Sequence, residues 1–270
     1  PFTMAANENK QIWLTVHVPE TTPAGDYRGD ITIAAPGEIP VLMNFTVTVL
    51  PFDLEPAPLE YGLYYRGEIP ADVNGEMQKT GITFEFKTPK QYRAELQDMK
   101  DHGVLYPTLN NEFPYWNSTT NPYLTALKSA LAIRRQVGLP LDNIYYLRIQ
   151  PRNPTDQASL AAIAENTRRA KSIFTAYGCR NMYLYGIDEA SGSVLQSERP
   201  AWQTVKQNGG KMFVAGYSDL IDYVGDLLDV PVLAHSLDTS QAARWHRLGK
   251  KLFNYANPQV GVENPELYRR

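Results

Sequence analysis

Tyr183-Leu184-Tyr185-Gly186-Ile187-Asp188-Glu189 reads as a short buried strand that ends abruptly on two adjacent carboxylates. Aromatic and branched residues make the strand. Cys179-Arg180-Asn181 before it and Ser191-Gly192-Ser193 after it punctuate both ends. If this strand belongs to a parallel set, its carboxyl end is where such an architecture carries chemistry, and a desolvated pair of like charges would raise at least one pKa. The plainer reading of the same dipeptide is an acidic cap on the next turn, or a surface ion pair.

Working outward, the chain alternates between the two periods. Leu59 to Arg66 reads as a strand, and Thr88-Pro89 opens a helix with Tyr92, Leu96 and Met99 at helical spacing, closed by His102-Gly103. Val104 to Leu109 is a strand, Tyr123 to Val137 a helix ended by Gly138, and Asn143 to Ile149 a strand. Thr155 to Tyr177 is a long helix with Leu160, Ile163, Ala164, Thr167 and Ala170 on one face. Beyond the central stretch come a helix near Pro200 to Gln207, a strand at Lys211 to Tyr217, a helix at Leu220 to Leu228 and a strand at Val230 to His235. A helix at Thr239 to Leu248 and a strand at Lys251 to Tyr255 complete the series. Seven alternations with short connections predict an α/β fold, a (β/α)8-type TIM barrel over residues 59–270 that lacks its eighth strand. A doubly wound open sheet is the competing layout, but no G-x-G-x-x-G turn follows the first strand.

Upstream, Ile12, Leu14, Val16 and Val18 alternate with polar or aromatic neighbours, and Tyr27 to Ala34 and Val41 to Leu50 alternate again. Residues 1–50 are expected to form part of an antiparallel, Ig-like β-sandwich. Three strands bury two sheets poorly, so this module reads as incomplete. Residues 51–58, with three prolines, read as a stiff linker. Both chain ends read as cut within a pattern.

Composition narrows the partners. Across 270 residues, 43% are hydrophobic and 20% charged, and the net charge of -3 offers no basic footprint for nucleic acid. No run of about 18 apolar residues is present to span a bilayer. One cysteine excludes a disulfide framework and a cysteine-rich zinc site without fixing the compartment. The 17 tyrosines and 4 tryptophans supply faces that stack on sugar rings.

The strand ends gather Arg66, Asn110, Asn111, Glu112, Gln150, Arg152, Asp188, Glu189, Tyr217, Ser218, Asp219, His235, Tyr255 and Asn257. This set has no metal-ligand spacing and no Gly-x-Ser-x-Gly elbow, so neither metal nor cofactor is expected. Carboxylates, amides and aromatics suit glycosidic bond cleavage. Adjacent acids cannot flank a bond as separated ones do. A substrate-assisted route accommodates them: the sugar's 2-acetamido oxygen attacks, Asp188 orients that group, and Glu189 protonates the leaving oxygen. Arg66, Asn110, Tyr217, His235, Tyr255 and Asn257 are the candidate substrate-binding residues.

The run Tyr183 to Ala190 resembles the Asp-Glu strand of glycoside hydrolase family 123. Tyr61-Gly62-Leu63-Tyr64-Tyr65-Arg66-Gly67, Met99-Lys100-Asp101-His102-Gly103 and Asn257 to Arg270 are similar to parts of the same family. The resemblance implies a retaining β-N-acetylgalactosaminidase with Asp188 orienting the acetamide and Glu189 as acid/base. A glycan or glycoconjugate is then the expected partner, in an extracytoplasmic setting. Two alternatives stay open: a glycan-binding barrel without catalysis, and a glycosidase pairing Glu189 with Asp219 or Glu263 on a sugar lacking the acetamide.

Overall fold

The computed structural model describes residues 2–5, 7–53, 59–73, 76–77, 85–114, 121–149, 156–234 and 239–255. The chain divides into two units, Pro1–Pro58 and Leu59–Arg270.

In the first unit, β1 (Gly25–Ile33) and β2 (Val41–Val49) pair antiparallel from Gly25 opposite Val49 to Ile33 opposite Val41. Thr48 Oγ1 donates to Asp26 Oδ1 across the ladder at 2.7 Å, a cross-strand pair that helps fix register. Here the sequence expectation is corrected. Residues 11–18 form no strand despite their alternation, and Ile12, Trp13 and Leu14 are exposed. Alternation marks a strand only where a neighbour accepts its backbone hydrogen bonds. Among the described residues the unit is one hairpin, not a sandwich.

The second unit begins with β3 (Gly62–Leu63), followed by a small antiparallel pair, β4 (Asp72–Val73) and β5 (Glu76–Met77). Helix α1 (Pro89–Asp101) starts at a full capping box, in which Thr88 and Gln91 satisfy each other's backbone amides. Then come β6 (Tyr106–Pro107), α2 (Pro122–Val137), β7 (Asn143–Tyr146), α3 (Gln157–Thr175) and β8 (Asn181–Tyr185). The series continues with α4 (Gly192–Gln207), β9 (Lys211–Gly216), α5 (Leu220–Val224), β10 (Val230–Leu233), α6 (Thr239–Arg247) and β11 (Phe253–Asn254). Gly138 ends α2 in the left-handed region at φ 84°, a conformation that costs glycine nothing.

Strands β7 to β11 form one sheet in the order β11-β10-β9-β8-β7, every pair parallel. A parallel bridge from Leu109 to Tyr146 carries the set on to β6, which pairs parallel with β3. Chain order is therefore spatial order throughout. A doubly wound sheet would reverse order at a switch point. This one does not, and it is a parallel half-barrel wrapped by helices.

Burial explains why these segments hold. β8 is buried from Met182 to Tyr185, as strands covered on both faces are. Trp202 and Trp245, on α4 and α6, are buried packing residues. Arg134 of α2 is buried too, donating to Tyr92 Oη at 2.9 Å, Pro107 O at 2.8 Å and Thr108 O at 2.6 Å. Such a buried charge is tolerable only when its donors are used. It ties the helix layer to the end of β6. One boundary is also corrected: α4 begins at Gly192, so Pro200 lies inside the helix rather than opening it.

Candidate active site

β8 ends at Tyr185, and at Gly186 the backbone passes close under Trp202. A Cβ at that position would lie 2.5 Å from the indole. Past it, Glu189 takes the left-handed conformation at φ 47° while its N–H donates to Ala215 O at 3.0 Å. A non-glycine residue there is strained, and such strain persists where surroundings over-determine it. Because the strand has already ended, the opposite-face alternation of neighbouring strand residues no longer separates Asp188 from Glu189.

Tyrosine phenols hold both acids. Tyr185 donates to Asp188 Oδ1 at 2.5 Å. Tyr255 donates to Glu189 Oε1 at 2.7 Å and Tyr217 to Oε2 at 2.9 Å. Among the described residues neither acid has a cationic partner. Tyr64 sets its ring edge-on to Tyr185 and Tyr255, with centroids 5.8 and 6.2 Å apart.

Electrostatics follow from these bonds. The Tyr255 and then the Tyr217 phenol stabilise the charged form of Glu189 and lower its pKa. Burial, followed by the bond to Glu189, pushes Tyr255 up to about 12. Burial also drives Tyr64 and Tyr185 well above the usual phenol value. The sequence reading expected a desolvated carboxyl pair with one pKa raised. Instead both acids are exposed, and the resolved shift, on Glu189, is downward.

A cleft of about 510 Å³ is lined by Asp188, Tyr185, Tyr64, Tyr255, Arg66, Asn110, Arg148 and Glu85, among others. Arg66 reaches it with a mostly exposed guanidinium 4.0 Å from Glu85. Asn110 also lines it, but its amide donates to Arg66 O at 2.8 Å and so props the wall. Tyr217 and Tyr255, expected to contact substrate, hold Glu189. His235 and Asn257 lie outside the described residues, as do Gln150, Arg152 and Glu263. Asp219 accepts the Gly192 N–H at 3.1 Å, anchoring the turn after Glu189.

Sequence reasoning missed Tyr64, Tyr185 and the Arg148–Glu68 pair. Arg148 donates to Asn110 O at 2.6 Å and meets buried Glu68 at 2.7 Å, so the cleft lining includes a cation already paired with an acid. The available signal was period two in the strands, which puts Tyr183 and Tyr185 on one face. Among the described residues, no group of three or more His, Cys, Asp or Glu is placed to hold a metal, and no helix is long and apolar enough to cross a membrane.

Neither a family model nor a curated protein matches the chain. Among solved structures it is similar to a sugar phosphate isomerase/epimerase from Parabacteroides distasonis, with 11% identity and a TM-score of 0.38 over 75% of this chain and 92% of that one. The family 123 resemblance is therefore corrected. Neither comparison by sequence returns such a family. An Asp-Glu pair at a strand end and a few short runs are too little sequence to define a family.

Proposed function

We propose that the larger unit, read as a (β/α)8-type barrel, is a glycoside hydrolase that removes β-linked N-acetylhexosamine, with N-acetylgalactosamine favoured, by a retaining, substrate-assisted mechanism. The observation that carries this reading is the pair of adjacent carboxylates, held by phenols and without cationic partners among the described residues, with Asp188 lining a polar, tyrosine-walled cleft and Glu189 bonded to Tyr255 of its wall. In the first step the acetamide oxygen bonds to the anomeric carbon as the glycosidic C–O bond breaks. Asp188, fixed by Tyr185, accepts from the acetamide N–H, and Glu189 gives its proton to the leaving oxygen. In the second step Glu189 takes a proton from water, whose oxygen reopens the oxazoline with net retention.

Glu189 must be protonated to act first, yet its phenol bonds favour the anion. Turnover is therefore expected on the acidic side of neutrality. The same fact favours a second reading, a glycan-binding site in which both carboxylates accept sugar hydroxyls and no bond breaks. One experiment separates them: nitrophenyl β-N-acetylgalactosaminide is incubated with the chain and with Glu189→Gln at acidic pH. Release of nitrophenol by the former alone supports hydrolysis. Sugar binding without release by either supports the binding module, and equal release by both removes Glu189 from the chemistry.

A further inference from the structure

The segment 215–219, running from the end of β9 into α5, grips the turn that carries Glu189 at three alternate positions. Ala215 O accepts the Glu189 N–H at 3.0 Å. Tyr217 donates to Glu189 Oε2 at 2.9 Å, and Asp219 Oδ2 accepts the Gly192 N–H at 3.1 Å. The first and last bonds bracket the turn, and the middle one holds the side chain. The segment is itself rooted: Ala215 and Leu220 are buried, and the Leu220 and Asp222 amides donate back to Tyr217 O and Asp219 O.

The Asp219 bond replaces one the turn does not make for itself. Gly192 is the first residue of α4, whose N-cap Ser191 makes no side-chain cap bond, so this leading amide is satisfied from the neighbouring loop. A carboxylate at a helix amino end is also favourable electrostatically. Glu189 at φ 47° and Gly192 at φ 57° both lie in the left-handed region, and a non-glycine residue stays there only where its surroundings hold it. Asp219 Oδ1 is buried and accepts no bond among the described residues, and Asp219 is absent from the cleft lining. With one oxygen spent on the turn and the other enclosed, Asp219 is placed to hold Glu189, not to share its chemistry.

We propose that Asp219 is the positioning residue for Glu189: its carboxylate closes the 189–192 turn and so aims the Glu189 carboxyl at the Tyr217 and Tyr255 phenols. The effect on turnover rests on the reading of Glu189 as acid/base, whereas the effect on the phenol bonds does not.

The test follows the Glu189 carboxyl carbon by NMR through a pH titration, assigned by its absence from Glu189→Gln, in the unaltered chain, Asp219→Ala and Asp219→Asn. With the turn released, Glu189 loses the phenols that favour its charged form, so its midpoint rises in Asp219→Ala. Asp219→Asn keeps an oxygen for the Gly192 N–H and returns the midpoint to that of the unaltered chain or below it. Were Asp219 only a nearby negative charge, both substitutions would lower the midpoint. If Asp219→Ala fails to fold, Asp219→Ser, whose hydroxyl is one atom shorter, replaces it with the same expectation. In turnover of nitrophenyl β-N-acetylgalactosaminide, Asp219→Ala lowers kcat by about 10²-fold, as for a misplaced catalytic group, with KM little changed. Asp219→Asn recovers most of that loss. An unmoved or lowered Glu189 midpoint in folded Asp219→Ala overturns the proposal. Equal loss of turnover in folded Asp219→Asn also overturns it, because Asp219 is then an acid in its own right. A raised midpoint in a chain that releases no nitrophenol keeps the positioning role and removes only the hydrolase reading. Release by the unaltered chain with an unmoved midpoint in Asp219→Ala does the reverse.

Discussion

At the amino ends of the parallel strands, Asp229 receives Lys206 Nζ on both oxygens at 2.8 Å and the Met212 N–H at 2.9 Å, with Lys250 3.9 Å away. Nearby, Glu60 pairs with Lys251 and Asp142 with Arg180. At the carboxyl ends, Asp188 and Glu189 receive only phenols. Ion pairs occur at both ends, since Glu68 meets Arg148 and Glu85 meets Arg66 beside the cleft, but Asp188 and Glu189 are set apart by having phenols in place of cations. Paired charges cost little to keep and do no chemistry. Acids held only by neutral donors are the ones the proposed chemistry uses.

The contrast breaks most visibly in catalysis. Glu189→Gln is expected to lower kcat/KM by at least about 10²-fold, the usual contribution of a positioned acid, whereas Asp229→Asn leaves turnover of the folded protein unchanged. Parallel rate assays check this. Loss of activity in folded Asp229→Asn, or its survival in Glu189→Gln, would erase the distinction between paired acids and those held by phenols.

Stability sharpens it next. Gly186→Ala forces a methyl group against Trp202 and is expected to cost about 1–3 kcal/mol, the range for overpacking a core, read as a lower denaturation midpoint. Asp229→Asn leaves Lys206 and Lys250 poorly paired at a partly exposed site and is expected to cost about 1 kcal/mol, as for a lost charged hydrogen bond near the surface. The same denaturation series measures it.

The smallest effect is a shift in pH dependence. Tyr255→Phe removes the bond that lowers the Glu189 pKa most, so that pKa rises. An acid works while protonated, so a higher pKa moves the alkaline fall of kcat/KM to higher pH. Tyr217→Phe shifts it the same way by less. A shift toward lower pH would contradict the role given to these phenols.

Much of the fold was legible because local signals agreed with one another. Thr88-Pro89 and Gln91 spell out the start of α1, and Gly138 spells out the end of α2. The alternation of strand and helix named every parallel strand, though β3, β6 and β11 proved only two residues long. Where tertiary context decides, the sequence misled. Residues 11–18 alternate without a partner strand. Pro200 carries a helix-start signal, but α4 begins eight residues earlier, where Gly192 follows Ser191 at φ 57°. The two acids were visible as an oddity at a strand end. Tyr217 and Tyr255 were gathered with them at the strand ends, but as substrate contacts; that they and Tyr185 bond the acids depends on side-chain directions that the order of strands alone does not give. The direction of the Glu189 shift depends on those phenols, whereas the expectation of a raised pKa rested on desolvation, which the exposed acids do not undergo.

The most direct test of a substrate that supplies its own nucleophile compares nitrophenyl β-N-acetylgalactosaminide with nitrophenyl β-galactoside at acidic pH. The two differ at carbon 2 of the sugar, where one carries the acetamide and the other a hydroxyl. Turnover of the first with none detectable of the second is the expected result. Equal turnover of both would show that the acetamide takes no part in the reaction and would contradict the account.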